Sequence, residues 1–263
     1  MSDNLSRNGS AAKVAPRLQL SIEERFATMT LNAPPLNIFD FELIREFRSA
    51  LKILRKNRIT VALLQSAAPR AFSAGVDVKI HTPEEAPRML RRFHNLIRAI
   101  DKGDTVFIAL VDGACLGGGF ELALACDFVF STRRSEFGFP EIDLGCFPPV
   151  AVALLPRLSP AAAADLVLTG RRFDAVEAHR LGLIHHASDD AAVVVKRLTQ
   201  TLLDKSAHAL AQARRGLRLS SGSLSGALAR TERLYERKIV PSLDAEEGVS
   251  AFIEKRYPVW RHR

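Results

Sequence analysis

The sequence has little cysteine, tryptophan or tyrosine: three, one and two residues in a chain of 263. Cys115, Cys126 and Cys146 are too few for a disulfide framework and too far apart for a zinc motif. They are expected to be reduced, buried small hydrophobes of a cytosolic protein, and no metal site is expected. Nowhere does an apolar run reach the roughly 18 to 20 uncharged residues of a membrane span, so no membrane partner is expected. The opening stretch, MSDNLSRNGSAAKVAPR, lacks the apolar core of a secretory signal and the arginine pattern of a transit peptide. Residues 1–16 therefore read as a flexible tail, and the location as cytoplasmic.

The net charge of +8 and pI near 9.8 call for an anionic partner or only a margin of solubility. The arginines are scattered through helical segments (Arg88, Arg91, Arg92, Arg98; Arg214, Arg215, Arg218) without interleaved aromatics or a lysine comb. Solvated helix faces are the favoured reading, with a phosphorylated ligand or RNA behind it. No nucleic-acid partner is expected.

What the sequence does contain is organised around VFIALVDGACLGGGFELALACD, residues 106–127. Val106 to Val111 reads as a buried strand. Gly117, Gly118 and Gly119 then let the backbone approach a ligand, and Phe120 to Ala125 has helical period. Amides at such a helix start suit a developing negative charge, with Glu121 in the same turn. A phosphate loop would need Lys-Ser or Lys-Thr where Phe120-Glu121 stands, and the dinucleotide fingerprint is out of register. By local pattern alone, a close-packed turn without a ligand fits as well.

Leu18–Ile22 and Phe26–Leu31 alternate and suggest a hairpin, ended by Pro34 and Pro35. A helix is expected over Phe41–Lys56 with Asp40 as its cap, a strand over Ile59–Leu64, a small-residue break at 71–79 (AFSAGVDVK), and a helix over Ala86–Ile100. This alternation predicts stacked parallel strands with ligands at their carboxyl ends. A short strand follows at Phe128–Ser131, then helices over Val150–Leu158, Ala161–Leu168 and Phe173–Leu181. Residues 17–188 form the expected core domain. Residues 189–263 are nearly all helical in period and suit packing or oligomerisation. Glu141 lies beside proline and aromatics, where desolvation raises a carboxyl pKa; a surface glutamate capping a turn fits that position too.

AFSAGVDVK, GACLGGGFELALACD and FGFPEIDLG in this order, with EEGVSAFIEKR at 246–256, resemble the enoyl-CoA hydratase/isomerase (crotonase) superfamily over about residues 17–260. The resemblance implies an α/β fold, a spiral of repeated ββα turns, and a C-terminal helical region that makes trimers or hexamers. It implies that the backbone amides of Val76 and Gly118 form an oxyanion hole. Val76, Asp77, Val78 and Lys79 would line the coenzyme A site, joined by Phe252 and Lys255 from this or a neighbouring subunit. Glu121 and Glu141 match the two carboxylates of true hydratases, Glu121 activating water and Glu141 donating a proton. No cofactor is implied, since coenzyme A enters as part of an acyl-CoA substrate.

One departure stands out: Pro149 falls where relatives carry a glycine whose amide helps hold the catalytic water, and proline has no N–H. The Phe147-Pro148-Pro149 run, PLNIFD at 35–40 and the terminal AFIEKRYPVWRHR look more like the branch that hydrates cyclohexa-1,5-diene-1-carbonyl-CoA. Phe120, Phe139 and Phe147 would suit a ring-shaped pocket or a packed core. Linear enoyl-CoA hydration, double-bond isomerisation and, further off, RNA binding are the alternatives.

Overall fold

The computed structural model describes residues 16–220 and 222–262, so nearly all of the expected N-terminal tail lies outside the described residues. Strands β1 (Leu18–Glu23) and β2 (Phe26–Leu31) form the antiparallel hairpin, Leu18 opposite Leu31. Helix α1 (Phe41–Lys56) begins at Asp40, whose carboxylate accepts the amides of Glu42 and Leu43. Its apolar stripe, including Leu43, Phe47 and Leu54, is buried.

A repeat follows in which each turn supplies one long strand, one short strand and one helix. The first is β3 (Val61–Ser66), β4 (Ala71–Ser73) and α2 (Ala86–Lys102); the second is β5 (Val106–Val111), β6 (Ala114–Leu116) and α3 (Gly118–Leu124). The third is β7 (Phe128–Ser131), β8 (Glu136–Gly138) and α4 (Pro149–Leu158). Then come α5 (Pro160–Thr169), β9 (Arg172–Asp174), α6 (Ala175–Arg180) and β10 (His186–Ala187). The chain ends in α7 (Ala191–Leu203), α8 (Ala207–Ser220), α9 (Leu224–Leu234), a π-helical turn at Tyr235–Ile239, and α10 (Leu243–Glu254).

The long strands make one sheet in the order β1-β2-β3-β5-β7-β10, parallel from β2 onward, and the short ones make a second, β4-β6-β8-β9. Residue patterning predicts a single stack and misses this second sheet; the repeated ββα turn comes from the family resemblance. The segments read as a break at 71–79 and as a turn near 137 each begin as a three-residue strand. The strand expected at Ile59–Leu64 runs Val61–Ser66, and Phe173 belongs to β9, the helix starting at Ala175. Gly113 bends the chain from β5 into β6 with φ +79, and a Cβ there would sit 2.3 Å from the Arg70 carbonyl oxygen, so only glycine fits.

All three cysteines are free and buried. The solvated-face reading fails for two arginines of α8. Arg214 is 5% exposed, holds Asp127 and the Ile100 carbonyl, and donates to the Gly103 carbonyl, while Arg218 pairs with Asp101 and Asp127. They fasten α8 to the ends of α2 and α3. Among the described residues no helix is long and apolar enough to cross a membrane.

Candidate active site

The two sheets bring their carboxyl-end turns together, and the segments singled out in the sequence meet there. After β4 the chain passes Gly75 and Val76. Phe39 and Val76 form a parallel bridge, in which the Phe39 amide donates to the Gly75 carbonyl and the Asp77 amide to the Phe39 carbonyl. With its neighbours so engaged, the Val76 N–H points to the opposite side. That side is the start of α3: a Cβ on Gly75 would lie 3.2 Å from the Gly118 nitrogen, and one on Gly118 only 2.9 Å from a Val76 methyl. Gly118 is the first residue of α3, where an amide has no acceptor within the helix. The Val76 and Gly118 segments therefore lie in van der Waals contact at the start of α3.

Glu121, one turn into α3, is 3% exposed. Its Oε1 accepts the Val150 amide at 2.8 Å and the Ala151 amide at 2.9 Å, the second and third residues of α4. Pro148 and Pro149 have no N–H, and the Val152 amide is bonded to the Pro148 carbonyl. Burial pushes the Glu121 carboxyl up to about 7, against the pull of those two amides toward the ionised form.

Glu141 lies in the 3-10 turn Pro140–Leu144 after β8. Its side chain rests on Gly117, where a Cβ would be 2.4 Å from Glu141 Oε1; Gly117 itself has φ +50. Oε2 is shielded from solvent and has no hydrogen-bond partner among the described residues. Burial first, then the charge of Glu121, holds this carboxyl well above the ordinary range. The pair is thus graded: two amide donors favour the ionised form of Glu121, whereas Glu141, pushed up by burial and by the charge of Glu121, has no donor on Oε2.

The Pro140–Leu144 turn is braced by α10. A Cβ on Gly145 would lie 2.5 Å from the Asp244 carbonyl oxygen, and one on Gly248 2.4 Å from that of Leu144, so two backbones touch without side chains between them. A cavity of about 430 Å3 is lined among others by Ile142, Cys146, Phe147, Val152, Leu234 and Trp260, and not by Glu121, Glu141, Val76 or Gly118. Of the three phenylalanines, Phe147 alone lines it. Phe120 and Phe139 are fully buried, stacked at 5.0 Å in the core, which corrects their candidacy for the pocket.

Asp77, Val78 and Lys79 follow Val76 into a 3-10 turn capped by Asp77, whose carboxylate accepts the Lys79 amide. Beside it Phe41, packed in the same cluster as Val76, carries the Arg88 and Arg92 guanidinium groups at 4.6 and 5.1 Å from its ring. Phe252 and Lys255 are exposed at the end of α10, and Lys255 caps it in the left-handed conformation. Neither is part of the cluster around the two carboxyls. Sequence reasoning missed the Val150 and Ala151 amides, although a proline at the first helical position is a start signal. It also missed Gly117 as the space that admits Glu141.

The sequence profile of the enoyl-CoA hydratase/isomerase family matches residues 21–263. The chain belongs to the enoyl-CoA hydratase/isomerase family. It is an enzyme of the enoyl-CoA hydratase type, and its α/β architecture is that of the family. Among relatives of the family, cyclohexa-1,5-dienecarbonyl-CoA hydratase of Thauera aromatica is 36% identical over 239 residues, covering 89% of this chain and 92% of that protein. Carnitinyl-CoA dehydratase of Citrobacter koseri is 34% identical over 247 residues, covering 89% and 94%. A solved structure of an enoyl-CoA hydratase from Mycobacterium avium has a TM-score of 0.81 at 30% identity, covering 93% of this chain and 99% of that one.

Proposed function

We propose that the enzyme adds water to the conjugated double bond of an acyl-CoA thioester, with the ring dienoyl thioester cyclohexa-1,5-diene-1-carbonyl-CoA as its substrate. The observation that carries the reaction is the pair of buried carboxyls with raised pKa beside the touching Val76 and Gly118 segments. The Val76 and Gly118 N–H groups take the thioester oxygen as negative charge develops on it, which makes the β-carbon electrophilic. Ionised Glu121 accepts a proton from water as its oxygen bonds that carbon. Protonated Glu141 delivers a proton to the α-carbon.

No cofactor takes part; coenzyme A arrives as part of the substrate. Val76, Asp77, Val78 and Lys79 line its path, with positive charge from Arg88 and Arg92 nearby, and Phe252 and Lys255 meet its nucleotide end. The chain works as a trimer or a pair of trimers. Supporting this is the apolar surface left open on the C-terminal region, where Phe252 is 57%, Val259 72% and Tyr257 94% exposed. For the ring substrate, support comes from the similarity to the Thauera protein.

Turnover of a panel of linear and cyclic enoyl- and dienoyl-CoA thioesters, read as loss of conjugated absorbance, tests the assignment. The ring dienoyl thioester should give the highest kcat/KM, and a linear substrate outrunning it would overturn the choice of acyl group. Glu141→Gln should lower kcat by about 100-fold or more while keeping acyl-CoA binding and the melting temperature. A near wild-type rate in that variant would remove the carboxyl mechanism.

A further inference from the structure

Every donor at the start of α4 is already committed. The Val150 and Ala151 amides hold Glu121, the Val152 amide holds Pro148, and the two prolines offer none. A water attacking beside Glu121 must therefore be held by some other group, and Glu141 Oε2, without a partner, marks a second polar atom waiting in the same place. Helix α9 packs on the start of α4. Thr231 donates its hydroxyl to the Pro149 carbonyl at 2.9 Å, which docks α9 onto the start of α4. Next to it Glu232 is held by His94 at 2.7 Å and by Arg98, fixing the same turn to α2. One turn further, the helix widens into the π-helical turn at Tyr235–Ile239, a local change of register that redirects a side chain.

That side chain is Tyr235. It is 3% exposed, packs edge-on against Phe147 at 5.2 Å, and shares a cluster with Cys146, Leu144 and Val76. Its hydroxyl faces the Cys146 thiol, a weak partner for a buried phenol. Burial, the thiol and the charges of Glu141 and Glu121 all push the phenol upward, so it stays a donor.

Resting on the hydratase reading, we propose that the Tyr235 hydroxyl holds the attacking water between Glu121 and Glu141, supplying the hydrogen bond that no amide of α4 is free to give. The phenol keeps its proton throughout. One water proton goes to Glu121, the oxygen bonds the β-carbon, and Glu141 protonates the α-carbon.

The test compares Tyr235→Phe with the unaltered protein in two reactions: hydration of the unsaturated thioester, and exchange of the α-proton of the saturated thioester with deuterated water. Exchange needs the amides and a carboxyl but no attacking water. The variant keeps the ring against Phe147, so its melting temperature should hold. Hydration kcat should fall about 100-fold, with KM and α-proton exchange little changed. Unchanged hydration overturns the proposal. So does a parallel loss of hydration and exchange, which would make Tyr235 a support for Glu141 instead. An unaltered protein that exchanges the proton but hydrates none of the thioesters overturns the hydratase reading itself.

Discussion

Gly117 shows how much of the site depends on one missing methyl group. Its φ of +50 is open to glycine, and the Glu141 carboxyl occupies the space a Cβ would need. Gly117→Ala should therefore act twice, costing about 1–3 kcal/mol of backbone strain and moving the acid off its mark. A misplacement on the order of 1 Å lowers kcat about 100-fold. Urea unfolding and steady-state kinetics measure the two effects separately. The graded carboxyls give a further expectation. Because Glu121 must be ionised, kcat/KM should rise as pH climbs through about 7. Because Glu141 must be protonated, it should fall again at higher pH, where that raised carboxyl gives up its proton. A pH profile without the lower limb would contradict the assignment of Glu121 as base.

Among the elements, those of ordinary length were legible in the sequence and the three-residue strands were not. The stripe of α1, the hairpin and the strand at 106–111 carry the periods of their structures over six residues or more. Ala71–Ser73, Ala114–Leu116 and Glu136–Gly138 are too short for any period, and their pairing comes from the longer strands that precede them. Helix α8 is a different case, since a lone arginine in a helical pattern looks the same whether it meets water or a buried aspartate. Arg214 meets the aspartate. Arg214→Ala would take one of two guanidinium groups from Asp127, which keeps Arg218, and would leave the Ile100 and Gly103 carbonyls without their donor; it should cost about 1–3 kcal/mol. Arg215→Ala, whose partner Asp104 is 58% exposed, should stay within about 0.5 kcal/mol. Chemical denaturation of the two variants side by side checks the contrast.

For the molecule as a whole, three of the four sequence segments that suggested the family lie on successive turns of the repeat and the fourth on α10, and folding gathers the first three around Glu121 and Glu141. The pairing of those acids was readable because motif residues carry it. Tyr235 was not, because its approach depends on a widened helical turn and on a hydroxyl contact between Thr231 and Pro149, 82 positions apart in the chain. The exposed Tyr257 and Val259 lead to an expectation at this scale. Sedimentation equilibrium should give three or six times the 28.9 kDa chain mass, and a monomer would leave that surface without its proposed role.

The bare contact of Gly145 and Gly248 with the backbones facing them means that the final helix and the acid-bearing turn are a matched set. Hybrids that graft the tail of one relative onto the body of another would succeed only when both halves bring a residue without a side chain to that seam. A recombination library cut before residue 243 should therefore lose catalysis wherever a bulkier donor residue arrives at either position, even if every carboxyl is inherited intact.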